Sequence, residues 1–216
     1  MGGTMKKIDY QKVMDAELEA VSALSARPSL LLHACCAPCS SYVLEYLNEY
    51  FDITVYFYNP NISPREEYEW RAEELRRFVE QIAKQNNIKT VFADYNSDDF
   101  YNTISGVENT AEGGERCRRC YELRLESTAR YASEKGFDYF CTTLSISPYK
   151  NCVWLNEIGE GLARKYGIKY LLSDFKKKNG YKRSCELSEQ YGLYRQNYCG
   201  CEFSKREAEK RAEKRK

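Results

Sequence analysis

One stretch constrains this chain more than any other: LLLHACCAPCS at residues 30–40. Leu30, Leu31 and Leu32 form a short apolar run, the mark of a central strand covered on both faces. Cys35, Cys36 and Cys39 follow at once. Pro38 and the small residues Ala34 and Ala37 predict a tight loop there. In an open α/β sheet, ligands bind at the loops beyond the carboxyl ends of the strands. The thiols therefore sit where such a fold keeps its chemistry. Two further pairs, Cys117/Cys120 and Cys199/Cys201, have the spacing to join them.

The pattern on either side supplies the rest of such a sheet. Residues 8–25 read as an amphipathic helix carrying Val13, Leu18, Val21 and Leu24 inward. Ser40 and Ser41 are placed to cap the helix after the cysteine loop, with Glu45 supporting its first turn. Further strands are expected at 53–58 (ITVYFY), 90–93, 137–143 and 169–172. Helices are expected at 64–85, 98–104, 118–135, 151–166 and 184–191. Pro64 suits the first position of the helix at 64–85, whose core residues would be Trp70, Leu75, Phe78 and Ile82. Residues 107–116, with Gly113-Gly114, read as a mobile loop. Strand and helix alternate five times. That predicts a three-layer, Rossmann-like α/β sandwich with a mainly parallel five-stranded sheet. Residues 1–28 would be an N-terminal helix packed on the domain, with residues 1–4 a disordered start. Residues 29–204 form a single α/β catalytic domain. Residues 205–216 are a charged tail, expected as a solvated, fraying helix.

Composition narrows the chemistry. The 216 residues are enough to bury a proper core, so disulfides are not needed as staples. The net charge is +1, so any nucleic-acid contact must come from local patches. No apolar leader segment and no membrane-length run is present, and a cytoplasmic, reducing setting is expected. There, ten cysteines point to metal or redox chemistry rather than disulfides.

The cysteine groups divide by geometry. Cys117 and Cys120 lie at a helix start, where the helix N-terminus and the cations Arg116, Arg118 and Arg119 would favour thiolate. Cys199 and Cys201 flank Gly200; in an extended segment they point the same way. Cys35 and Cys36 are adjacent and diverge, so they suit neighbouring centres better than one iron. Together the three groups offer seven thiols. Four complete a [4Fe–4S] cluster. The remaining three suit a mononuclear metal that keeps an open position for substrate. Two zinc sites would use a similar number. Cys141, Cys152 and Cys185 stand alone and are expected to be structural. His33, the only histidine, is expected in the wall of the site.

Five stretches resemble the cobalamin-independent epoxyqueuosine reductases, the QueH family: LLLHACCAPCS at 30–40, FYNPNISPREEYEWR at 57–71, GERCRRCYELRLESTARYA at 114–132, LSISPYKN at 144–151 and YRQNYCGCEFS at 194–204. The resemblance implies a fold near the HUP class of adenine-nucleotide enzymes. HACCAPCS stands in place of that class's Ser-Gly-Gly-x-Asp-Ser loop, so ATP chemistry is not expected. It implies two-electron deoxygenation of the epoxide of epoxyqueuosine in a tRNA anticodon loop. It also implies a [4Fe–4S] cluster beside a mononuclear iron or other divalent metal, and an electron donor such as a ferredoxin or flavodoxin. On this reading Cys36, Cys117, Cys120 and Cys199 serve the cluster, and Cys35, Cys39 and Cys201 the single metal, which would act as a Lewis acid on the epoxide oxygen. Candidate proton donors are Tyr58, His33, Glu115 and Asp174. Candidate RNA or base contacts are Asn59, Arg116, Arg124, Lys150, Arg183 and Arg195, with aromatics to stack on splayed bases. Two other readings compete: an iron–sulfur tRNA sulfur-transfer enzyme, which would need an ATP loop, and a zinc-stabilised RNA-binding module without catalysis.

Overall fold

The computed structural model describes residues 8–83 and 87–214. The disordered start expected at residues 1–4, the end of the helix expected at 64–85, and the last two residues of the tail lie outside them. Five strands form one sheet: β1 (Ser29–His33), β2 (Asp52–Phe57), β3 (Lys89–Phe92), β4 (Tyr139–Thr142) and β5 (Lys169–Tyr170). Their order is β3-β2-β1-β4-β5 and every pairing is parallel. Eight α-helices are described: α1 (Tyr10–Ser22), α2 (Ala37–Leu47), α3 (Arg65–Ala83), α4 (Ser97–Thr103), α5 (Glu115–Lys135), α6 (Cys152–Tyr166), α7 (Gly180–Gln190) and α8 (Glu202–Glu213). This is the three-layer, Rossmann-like α/β fold expected from the sequence.

β1 is the centre of the sheet because its leucines serve both faces. Leu30 and Leu32 pack with Met14, Leu44, Leu47, Leu75 and Phe78, from α1, α2 and α3. Leu31 points the other way, onto Leu125, Ala129, Leu155 and Leu162 of α5 and α6. All three leucines are fully buried. Chain order then sets the position of the site. From β1 the chain moves outward to β2 and β3, then crosses back to β4 on the other side of β1. The reversal of direction leaves a crevice beyond the carboxyl ends of β1 and β4.

Several local expectations are corrected. In α1 the buried stripe is Tyr10, Met14, Leu18 and Val21, while Val13 is 39% and Leu24 55% exposed. Met14 keeps the helical spacing from Tyr10 to Leu18, which Val13 does not. Trp70 is also outside, packed edge-on against Tyr194 at 4.9 Å. The inner face of α3 there belongs to Tyr68, Arg71 and Ala72. Ser40 and Ser41 do not cap α2. That helix begins four residues earlier than a Ser40 cap would place it, with Cys36 as its N-cap and Pro38 in its first turn. The two serine hydroxyls instead donate back to Cys36 O (2.8 Å) and Pro38 O (2.9 Å). α7 starts at Gly180, four residues before the expected helix, and the residues 205–213 of the expected solvated tail continue α8. Ala208 is buried, and Glu207 pairs with the buried Arg116 at 3.2 Å. The same contact orders the loop expected to be mobile: Arg116 donates to Glu108 O (2.6 Å) and Thr110 O, and Glu112 N donates to Glu207 at 3.1 Å.

Candidate active site

The early start of α2 places the first thiols. Cys36 holds extended backbone at the N-cap, and Cys39 falls within the first turn. The loop is pinned from both sides: Ala34 N donates to Tyr56 O (2.9 Å), and Asn59 Nδ2 donates to Ala34 O (2.8 Å). The sulfurs of Cys35, Cys36 and Cys39 all lie within 4.8 Å of one another. Cys35 and Cys36 are 3.8 Å apart, and Cys35 is 3.9 Å from Thr143 Oγ1, beyond β4. The thiols of Cys36 and Cys39 turn toward the Cys35 sulfur and lower its pKa, and Lys150 and Arg124 add to this.

The other four thiols gather around a small hollow lined by Cys117, Cys120, Cys199 and Cys201, together with Arg124 and Lys150. Cys117 lies in the first turn of α5 and accepts from Gly113 N at 3.3 Å. Cys120, one turn on, is buried with Phe100, Ile104 and Cys201. The sequence expectation for this pair fails in one respect. Burial outweighs the neighbouring cations and pushes the Cys120 thiol up to about 11, with Cys117 raised as well. The arginines meant to favour thiolate are engaged elsewhere: Arg116 with Glu207, Arg119 with Ser105 O (3.1 Å), and Arg118 over the Trp154 ring.

Cys199 and Cys201 are delivered by a tight turn. Gly200 has φ +119°, a conformation that side chains rarely adopt. A Cβ there would lie 3.0 Å from Arg71 Nη1 and from Ile62 Cγ1. Arg71 donates from Nη1 to Cys199 O (3.2 Å), and Gly200 O accepts from Ser63 N (3.0 Å). The Cys201 sulfur then caps α8, accepting from Ser204 N at 3.4 Å. Gly200→Ala is expected to displace both sulfurs and to weaken metal binding at this group about 10-fold or more, as loss of an outer positioning contact does. Competition with a chelator measures it; wild-type retention would show that the turn tolerates a side chain.

A cavity of about 400 Å³ opens over the thiols. Cys35, Cys36, Cys39 and Cys199 form part of its lining, with Arg71, Arg124 and Lys150 among the cations. Its mouth carries Tyr149, 77% exposed, and Tyr181, which faces the Arg195 guanidinium at 5.3 Å. Burial works against the charged form of Lys150, but Cys199, Tyr121 and Cys35 raise its pKa, so its ammonium persists beside the sulfurs.

The structure brings only some of the expected residues to this cavity. Lys150 and Arg195 line it. Arg124 lies in its lining but is buried, donating to Cys120 O (3.2 Å) and Asn59 Oδ1 (3.4 Å). Asn59 is buried behind the cysteine loop and Arg116 under α8. Arg183 pairs outside with Glu45 (2.8 Å) and Glu186 (3.3 Å). None of the four expected proton donors lines either cavity. His33 is fully buried, with Nδ1 3.0 Å from Thr142 Oγ1 and Nε2 3.1 Å from Tyr58 O. Burial, with Arg124 nearby, pushes its pKa down to about 4. Tyr58 donates to Asp99 (2.9 Å), Glu115 pairs with Arg119 (3.6 Å), and Asp174 pairs with Lys176 (2.7 Å). Arg71, Tyr181 and Tyr198 line the cavity and were not singled out from the sequence. Arg71 carried one signal, an arginine on the inner stripe of an amphipathic helix.

The donor sets suit metals. Thiolates about 2.3 Å from one tetrahedral ion lie roughly 3.8 Å apart. The Cys35–Cys36 separation of 3.8 Å and the 4.8 Å limit for the triad match a single ion with a side left toward the cavity. The group of four has the all-thiol chemistry of an iron–sulfur cluster. Among the described residues, no helix is long and apolar enough to cross a membrane.

Comparison with known proteins identifies the family. A family model described as "Epoxyqueuosine reductase QueH" matches residues 30–207. A Streptococcus pyogenes protein named epoxyqueuosine reductase QueH is 47% identical over 201 residues, covering 92% of this chain and 79% of that protein. Proteins of the same name from Staphylococcus epidermidis and Thermotoga maritima are 43% and 38% identical, covering 92% and 82% of this chain and 85% and 90% of their own lengths. The family match runs from β1 into α8 and so spans every cysteine of both groups: the chain belongs to the epoxyqueuosine reductase QueH family.

Proposed function

We propose that this chain is a cytoplasmic epoxyqueuosine reductase acting on tRNA that bears epoxyqueuosine in its anticodon loop. The observation that carries this reading is the convergence of a three-thiol and a four-thiol group beside a cavity of about 400 Å³, within the size range of small-molecule pockets. The reaction consumes two electrons and two protons. Both carbon–oxygen bonds of the epoxide break, a carbon–carbon double bond forms, and the oxygen leaves as water. A ferredoxin or flavodoxin is the class of donor that fits.

Cys35, Cys36 and Cys39 would hold a single iron or another divalent metal, and Cys117, Cys120, Cys199 and Cys201 a [4Fe–4S] cluster. This division moves Cys36 to the single metal and Cys201 to the cluster, relative to the split expected from the sequence; the short separations within the triad support it. When bound, the two groups supply electrons and Lewis acidity at the epoxide oxygen. The chain's own residues bind and orient the substrate. Tyr149 and Tyr181 offer ring faces to the bases of a splayed RNA loop, and Arg195 offers charge to its phosphates. Lys150 Nζ holds a proton at the cavity floor, within the field of Cys35 and Cys199. Arg71 and Asn59 hold the two cysteine loops in place.

Purification without oxygen, followed by iron, sulfide and zinc analysis, tests the reading. About five irons and four sulfides per chain are expected, with deoxygenation of epoxyqueuosine-tRNA by a strong reductant. Zinc without sulfide, and no turnover, would leave a zinc-stabilised RNA-binding module. Product formation that requires ATP would instead indicate sulfur transfer.

A further inference from the structure

Among the described residues, three arginines are almost fully buried: Arg71, Arg116 and Arg124. Arg71 pairs with Glu67 at 2.7 Å, and Arg116 with Glu207 at 3.2 Å. Arg124, 2% exposed, has no carboxylate in any ion pair among the described residues. Its Nε and Nη1 donate to neutral acceptors, Cys120 O and Asn59 Oδ1. Its Nη2 is buried with no hydrogen-bond partner. A guanidinium does not lose its proton in proteins, and a buried charge without a counter-charge is strongly unfavourable. The groups that share its surroundings are cysteines: Cys35, Cys36, Cys39 and Cys199 on one side, Cys117, Cys120 and Cys201 on the other. Arg124 lines both the cavity over the triad and the hollow of the four thiols.

We infer that Arg124 is the fixed counter-charge of the sulfur centre, a positioning and potential-setting residue rather than an RNA contact. The inference rests on the proposed iron–sulfur reading of the cysteines. A permanent cation between two thiolate groups stabilises each added electron, because the reduced centre carries one more negative charge. Net charge, hydrogen bonds to sulfur and solvent exposure set the potential of such centres, and Arg124 acts on the first. Because the guanidinium stays protonated, its contribution is constant across the working pH range. Burial argues against a phosphate contact: the side chain is 2% exposed, and its Nε and Nη1 are held by Cys120 O and Asn59 Oδ1.

The test is a redox titration of the full-length, anaerobically prepared protein, followed by electron paramagnetic resonance, for wild type, Arg124→Gln and Arg124→Lys. Filter binding of tRNA is measured on the same samples. Arg124→Gln is expected to lower the reduced-to-oxidised ratio of the centre about tenfold at fixed potential, a shift of about 59 mV for one electron. Arg124→Lys is expected to stay near wild type, and tRNA affinity to be unchanged in both. A fully loaded Arg124→Gln protein with the wild-type midpoint overturns the inference, as does weakened tRNA binding with an unmoved midpoint. If the glutamine variant does not retain iron, a loaded lysine variant with the wild-type midpoint supports the role of charge, and a lysine variant that also loses iron overturns it. Wild-type protein without iron and sulfide removes the proposed function and this inference together. An unmoved midpoint in loaded protein removes this inference alone.

Discussion

Cys36→Ser is expected to remove one metal ion per chain and to lower reductase turnover by more than about 100-fold, beyond the loss expected for an outer-shell change. Sulfide content and folding remain at the wild-type level. The position separates chemistry from stability. Cys36 is the N-cap of α2 but makes no capping hydrogen bond. Serine is among the best N-cap residues and can accept from the first-turn amides, so the variant keeps or gains helix stability. What it loses is a soft sulfur donor, 3.8 Å from Cys35, of the kind that suits iron or zinc. Cys120→Ser is the comparison: it should lose sulfide and about four irons, the content of one cubane. Cys185→Ser, on α7 and outside both thiol groups, should change neither metal nor turnover. Metal and sulfide analysis with single-turnover assays on the three variants decides the division of the cysteines. Loss of sulfide from Cys36→Ser would return Cys36 to the cluster, as the sequence alone suggested. Full metal content and turnover would remove it from the site.

Gly180→Ala is expected to destabilise the protein by about 3 kcal/mol, at the upper end for overpacking. A Cβ at Gly180 would lie 2.0 Å from the Phe175 carbonyl oxygen and 2.4 Å from the Tyr42 ring. A ring can swing away, but a backbone carbonyl moves only with its segment. The helix α7 must therefore back off from α2, whose N-terminus carries the cysteine loop. For a chain of this size the loss corresponds to a fall of roughly 6–12 °C in Tm. The function follows the packing: Tyr181 and Ser184 lie on α7, and Arg195 at the cavity mouth donates to Ser184 O at 3.1 Å. Weaker tRNA binding should accompany the lower Tm. Gly161→Ala in α6 is the control, because nothing lies within 4 Å of its added Cβ. Alanine in a helix interior is worth about 1 kcal/mol over glycine, so this variant should melt higher. Differential scanning calorimetry of the two variants tests the argument; equal melting points would show that α7 does not need its close approach to the Phe175 carbonyl.

The sequence by itself determined the architecture and marked the cysteines that the fold gathers. Three consecutive leucines required a strand buried on both faces, and the alternation of five strands with helices required a parallel sheet, because each pattern leaves one way to remove apolar surface from water. The seven clustered cysteines were legible because thiols spaced this way point to few other chemistries in a reducing setting. Only the tertiary structure decided how the sulfurs group and what faces them. Adjacent residues such as Cys35 and Cys36 diverge in a strand, but the N-cap geometry of α2 turns their sulfurs to 3.8 Å. The roles of the arginines were equally hidden. Arg116, Arg124 and Arg183 look alike in the chain, yet one meets Glu207, one is buried among the cysteines against Cys120 O and Asn59, and one meets Glu45. A charged side chain takes its role from whatever counter-charge the fold places against it, and those partners lie far away in sequence. The tail shows the same dependence. Its alternating charges predict a solvated helix, but Glu207 reaches across to a buried arginine and closes α8 over the loop beside the four thiols. Local patterns follow from the solvation of each residue; the site depends on long-range pairing, which only the packed chain specifies.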